Sequence, residues 1–217
     1  MEPVFALTMF TPAEAASITG ISPDLQRDWR RRGYLPATQG HARFDAFDLS
    51  RMLAMKLLAD RGIGPAQTHE LAEWCALGIF QQAISEFDAW EGPIDRAPVK
   101  SPKSESDFEG RFAHLSGNER RTILAIEINH EWWTRISSYL RNSLFLQLGK
   151  PIITMGSYFA WLPNGEHHFD VSLDSIFESQ IRMDGAAVIL DFRPLASLLI
   201  ERAGRSLCHV EWEESTE

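Results

Sequence analysis

Five arginines, Arg27, Arg30, Arg31, Arg32 and Arg43, fall between positions 26 and 43, against one acid, Asp28. Gln26 stands beside the first of them. Arginine and glutamine can donate paired hydrogen bonds to the edges of nucleic-acid bases, and arginine also binds phosphate. Arg27 and Arg30 lie three residues apart, a spacing that puts both on one face if the stretch is helical. Arg31 and Arg32, near its end, suit phosphates.

The surrounding residues supply that helix. Thr11-Pro12-Ala13-Glu14 reads as a helix start: threonine as cap, proline at the first helical position, and glutamate three residues on to close a capping box. Thr19-Gly20-Ile21-Ser22-Pro23 repeats the logic with a glycine turn, a serine cap and a proline. The second helix is expected from about Pro23 to Arg32, stopping at Gly33, with Leu25 and Trp29 toward the core. Two short helices joined by a tight glycine-containing turn make a helix-turn-helix. Tyr34-Leu35-Pro36 and the turn-rich stretch to Gly40-His41-Ala42-Arg43-Phe44 read as a β-hairpin wing. Asp45 then caps a third helix.

Residues 9 to 72 resemble the winged helix-turn-helix of MerR-type transcription regulators. The resemblance rests on Phe10-Thr11, Glu14-Ala15-Ala16, Thr19-Gly20-Ile21-Ser22, Leu25-Gln26-Arg27, Gly33-Tyr34-Leu35-Pro36, Arg43-Phe44 and Asp48-Leu49. It implies double-stranded DNA as partner, with the second helix in the major groove and the wing on the backbone. Ser22, Gln26, Arg27, Arg30, Arg31 and Arg43 are the candidate DNA-binding residues. The metal-sensing branch of the family uses cysteines near its dimer helix, and Cys75 alone does not make that pattern.

The net charge of −9 at first argues against nucleic acid. Its distribution answers the objection. Lys and Arg against Asp and Glu number 8 to 7 in residues 1–62, 3 to 9 in 63–110, and 10 to 14 in 111–217. Basic charge is focused on the expected DNA face, where docking is decided. The 44% hydrophobic content is that of a globular chain. No apolar run is long enough to span a bilayer, and the Met-Glu-Pro start lacks a secretory pattern. The two cysteines, Cys75 and Cys208, lie in different segments, so a reducing, cytoplasmic setting is expected.

The expected fold class is a mostly α N-terminal winged helix-turn-helix plus a C-terminal α+β domain, a small sheet covered by helices. The expected domains are 1–91, carrying the DNA module and a following helix, a linker at 92–110 rich in proline, serine and charge, and 111–217 for dimerisation or sensing. Helix three is expected from about Ala46 to Arg61 and a fourth from Pro65 to about Trp90, interrupted in its pattern by Gly78. Without sustained heptads there, the family's coiled coil is not expected. In the last segment the sequence predicts a strand over Thr122–Ile128, a helix of about 130–148 capped by Asn129, and an apolar stretch Ile152–Leu162. A hairpin turn at Pro163-Asn164-Gly165 follows, with Phe169–Ser172 returning. A buried strand at Ala186–Phe192, a helix from Pro194 to Arg205 ended by Gly204, and a strand at Leu207–Trp212 complete it.

Other chemistry-bearing groups are weaker. His167-His168 near Asp170, and Cys208-His209, are ligand types, but neighbours on a strand point to opposite faces and do not chelate as a unit. Glu127, Asn129, His130 and Glu131 read as capping and dipole-favourable charge. Trp132, Trp133, Tyr158, Phe159 and Trp161 suit a core or a dimer interface. No phosphate loop, nucleophile elbow or nucleotide fingerprint is present, so neither an enzyme nor a cofactor or metal is expected. The expected function is sequence-specific regulation of transcription by a homodimer, with an unknown small-molecule or protein effector. The alternative is a phage or mobile-element DNA-binding protein, excisionase-like or packaging-subunit-like, using the same motif.

Overall fold

Local capping rules decide the N-terminal helices. The computed structural model describes residues 2–37, 40–99, 117–152, 156–178 and 185–213. Strand β1 (Glu2–Leu7) is followed by helices α1 (Pro12–Thr19) and α2 (Pro23–Arg31). The capping box forms as expected: Thr11 Oγ1 accepts from the Glu14 amide at 3.2 Å, and Glu14 Oε2 accepts from the Thr11 amide at 2.7 Å. Gly20 ends α1 at φ 76°, a left-handed conformation that an L side chain rarely adopts. Ser22 caps α2 by accepting from the Leu25 amide at 3.3 Å.

Helix α3 (Ala46–Ala59) is followed by α4 (Pro65–Thr68) and α5 (Leu71–Ala83). The expected single helix from Pro65 to Trp90 is therefore broken. The Thr68 hydroxyl donates to the Gly64 carbonyl, the next helix begins at Leu71, and a 3₁₀ turn at Phe87–Ala89 leads into the short strand β2 (Trp90–Glu91). The Trp90 indole N–H closes this corner on the Ile84 carbonyl at 2.8 Å. The rest comprises helix α6 (Gly117–Gln147), strands β3 (Tyr158–Trp161) and β4 (His167–Asp170), helix α7 (Leu173–Glu178), strand β5 (Val188–Asp191), helix α8 (Phe192–Ala203) and strand β6 (Cys208–Glu213).

The strand expected at Thr122–Ile128 is instead part of α6, and Asn129, expected as a cap, lies in the body of that helix. A short run of β-branched residues fits either state when read alone. The row 124, 128, 132, 136, 140, 144 carries apolar residues at spacing four throughout, which is a helical spacing. No helix among the described residues is long and apolar enough to cross a membrane.

Two sheets form, of order β1-β6-β2 and β4-β3-β5. Strand β2 pairs parallel with β6, Trp90 opposite Cys208. The β3–β4 hairpin turns at Asn164-Gly165, where Gly165 has φ 86° and Asn164 Oδ1 accepts from the Glu166 amide. The return strand thus starts at His167, two residues earlier than expected, with Tyr158 opposite Asp170 and Trp161 opposite His167.

Residue contacts divide the chain into one unit of residues 6–91 and 153–209 and another of 1–5, 92–152 and 210–217. This differs from the expected succession 1–91, 92–110 and 111–217. In the first unit α5 packs on both α3 and α8. Phe47 on α3 meets Phe80 on α5 edge to face, with centroids 6.0 Å apart. Arg51 on α3 pairs with Glu73 on α5. Gly78, expected to interrupt the pattern of its helix, is a contact point: a Cβ there would lie 2.4 Å from the buried Phe192 ring of α8. Phe192 in turn meets Phe169 of β4, which meets the fully buried Phe159 of β3.

In the second unit Ile136, Leu140, Leu144 and Phe145 of α6 are buried. The Gln147 amide clasps the backbone of Phe5, accepting its N–H at 2.9 Å and donating to its carbonyl at 2.6 Å. Trp212 stacks on Tyr139 and donates its indole N–H to the Pro93 carbonyl at 2.8 Å. The described start of the expected linker is packed, with Ile94 and Ala97 buried. The remainder of that linker, from 100 to 110, lies outside the described residues.

Candidate nucleic-acid interface

Helix α2 is anchored on one side and charged on the other. Trp29 is 4% exposed and fixes the inner face, while its carbonyl accepts from the Tyr34 amide at 2.8 Å where the chain leaves the helix. The outer face carries two sets of ion pairs. Arg27 pairs with Asp24, and Asp28 takes both Arg31, at 2.5 Å, and Arg32, at 2.8 Å. The side chains of Arg27 and Arg31 are 69% and 77% exposed, one helical turn apart. These pairs lie in solvent, where an ion pair contributes only about 0.2–1 kcal/mol. Both cations are thus free to exchange a carboxylate for a phosphate or a base edge at little cost.

The structure separates the candidate residues. Ser22 is exposed at the N-cap of α2, its oxygen engaged with the Leu25 amide. Arg27 and Arg31 share the open face. Arg30 is half-buried instead: its guanidinium stands 5.6 Å from the centroid of Phe44, and Nε donates to the Gln26 carbonyl at 3.4 Å. Arg27 and Arg30 therefore do not act as one exposed pair. Arg43 is exposed just before Phe44, whose antiparallel bridge to Phe10 fixes this segment beside α1. Among the described residues of 33–44 that bridge stands in place of the expected hairpin ladder, and positions 38 and 39 of the wing lie outside them.

Gln26 faces inward. It is fully buried, and its amide nitrogen donates to the Pro12 carbonyl at 2.9 Å and the Ile21 carbonyl at 2.8 Å. It ties the start of α1 to the turn before α2, and so holds the angle between the two helices. The residue type suggested a base reader because its amide has the right donor pattern. The burial that redirects it comes from packing, not from local sequence. Gln26→Ala removes both bonds, the one to the Ile21 carbonyl being buried, and is expected to cost about 1–3 kcal/mol of stability. Thermal denaturation measures this, and an unchanged midpoint with altered base preference would return Gln26 to the interface.

Sequence reasoning missed two braces. At the end of α8, Arg202 donates to the Ile18 carbonyl at 2.9 Å, satisfying the C-terminal end of α1. Arg205 donates to the Met9 carbonyl and to Glu14 Oε1 at 3.0 Å, and lies 4.7 Å from the Phe10 ring centroid. The amide and hydroxyl of Thr11, with the charges of Arg205 and Arg43, hold the Glu14 carboxyl below its ordinary range. No local signal marks either arginine, because each acts on a residue more than 180 positions away.

The other candidates do not converge. His167 and His168 alternate along β4, and no group of three or more His, Cys, Asp or Glu among the described residues is placed to hold a metal ion. Glu127, His130 and Glu131 lie within α6. Cys75 and Cys208 are free and buried, and desolvation pushes both thiols well above the ordinary range. Residues 10–73, from just before α1 into α5, match the family described as MerR HTH family regulatory protein. No curated protein and no solved structure matches the chain.

Proposed function

We propose, from a MerR-family helix-turn-helix domain at residues 10–73, that this DNA-binding regulator of transcription reads a specific duplex sequence with α2 and binds as a homodimer. The observation that carries the reading is the exposed Arg27–Arg31 face, set on a helix whose other side is fixed by Trp29 and Gln26. Preorganised donors on a rigid element lose little freedom on docking. Arg27 and Arg31 are assigned to base edges and phosphates in the major groove, Arg43 to the sugar-phosphate backbone, and Ser22 to a phosphate near the helix start. Arg30 positions the segment before α3 through Phe44.

A nine-residue helix spans few base pairs, and two-fold symmetry doubles the reading. The acidic remainder of the chain limits attraction to DNA at large. The test is selection of the full chain against random duplexes, followed by sequencing. The expected result is one enriched motif with two inverted half-sites. Retention of DNA without an enriched motif would leave a non-specific binder, and a single half-site would remove the dimer.

A further inference from the structure

Among the described residues, the second sheet of the first unit ends at β5, with no strand paired on its outer edge. Its order is β4-β3-β5, and Tyr158 lies opposite Asp191 and Phe159 opposite Leu190. The Phe192 amide donates to the Ser157 carbonyl at 2.9 Å, one step along the same register. Hydrogen-bonded and non-hydrogen-bonded pairs alternate in an antiparallel ladder. Leu190 and Val188 therefore turn their backbone groups to β3, and Ile189 and Asp191 turn theirs outward. Among the described residues nothing takes the Ile189 N–H or carbonyl. Such an edge is a template for another strand unless it is covered.

This edge opens into a cleft of about 260 Å³. One side is β5 from Val188 to Asp191; the other is Leu57 of α3 and Arg61 just after it, with Leu195 of α8. Successive strand side chains point to opposite faces, so a cleft that meets all four residues runs along the edge. Arg61 is exposed and has no ion pair among the described residues. Asp191 also faces the cleft, but its Oδ1 is engaged by the Arg193 amide at 3.1 Å as the cap of α8.

We propose that this cleft binds an extended peptide segment of a partner protein by strand addition to β5. The peptide backbone pairs with the outward N–H and carbonyl of Ile189 and with the outward N–H of Asp191, whose carbonyl is taken by the first turn of α8. Alternate apolar side chains rest on Leu57 and Leu195, and one carboxylate meets Arg61. Main-chain bonds supply affinity in this mode and side-chain pockets supply selectivity. A compact small molecule could fill the apolar walls but would leave the regular donor and acceptor spacing of the edge unused. The Asp191 carboxylate limits the peptide to a single acid on the Arg61 side.

The full chain is used to select from a phage-displayed library of random heptapeptides, and the selected peptides are synthesised with a fluorophore and titrated by anisotropy. The expected sequences alternate apolar residues and carry one Asp or Glu. Arg61→Ala should weaken binding about tenfold, as loss of a charge-assisted contact does. N-methylation of alternate peptide amides should abolish binding in one phase and spare it in the other, a readout that depends on no protein variant folding. The proposal is overturned by failure to select a peptide, by equal response to the two N-methylated series, or by indifference to Arg61→Ala. None of these readouts involves DNA, so they stand apart from the duplex selection.

Discussion

Full-length protein carrying Trp29→Ala is expected to lose about 3–5 kcal/mol of stability, the range for truncating a large buried aromatic. The indole is the largest side chain that α2 places in the core, and it is 4% exposed. Its removal leaves a cavity under the face by which α2 is held, since the opposite face is arginine and aspartate. The carbonyl of the same residue receives the chain at Tyr34 and Leu35. Loosening α2 therefore also loosens the path to Arg43. Chemical denaturation of parent and variant measures the loss, and a change below about 1 kcal/mol would mean that α2 is held by something other than this core.

The second large effect falls on recognition. Arg27→Ala with Arg31→Ala should cost about 1–3 kcal/mol on the selected duplex for each side chain that reads a base, and should narrow the ratio of selected to scrambled affinity. A side chain that instead binds phosphate lowers the salt slope by about one and leaves the ratio alone. Asp24→Asn with Asp28→Asn should act in the opposite direction. Both aspartates pair with the arginines of the proposed reading face, where a carboxylate repels phosphates, so their neutralisation should tighten binding to every duplex and reduce selectivity. The aspartates, in this account, restrain general affinity for the polyanion so that base contacts decide. Titrations at several salt concentrations separate the effects. If neither double variant changes the selected-to-scrambled ratio, α2 is not the reading helix.

What the sequence disclosed follows the range of the forces involved. The Thr11–Glu14 box, the Gly20 turn, the Ser22 cap and the Asn164-Gly165 hairpin are each settled by groups within three or four positions, and each was legible. Arg27 and Arg31 were legible as donors because exposure needs no partner. Gln26 was misread because its type is compatible with both a groove and a core, and only Pro12 and Ile21 decide between them. The half-burial of Arg30 is likewise set from outside its own helix, by Phe44. The Ile-rich stretch Thr122–Ile128 within α6 reads as a strand in isolation because seven residues do not distinguish two periods. Gly78 looked like a defect in a helix pattern until Phe192 supplied its purpose.

The contact of Gly78 with Phe192 also sets an order of events when the chain is made. Helix α5 leaves the ribosome bare on the face that α8 will cover. The partner lies 114 positions later, from 78 to 192, and synthesis advances at about 5–20 residues per second. For roughly 6–23 s the nascent chain holds α5 against α3 on one side with nothing yet on the other. Arg202 and Arg205, which steady α1, arrive later still. A product cut short before α8 therefore carries Arg27, Arg31 and Arg43 but lacks the two braces that steady α1, Arg202 on Ile18 and Arg205 on Glu14.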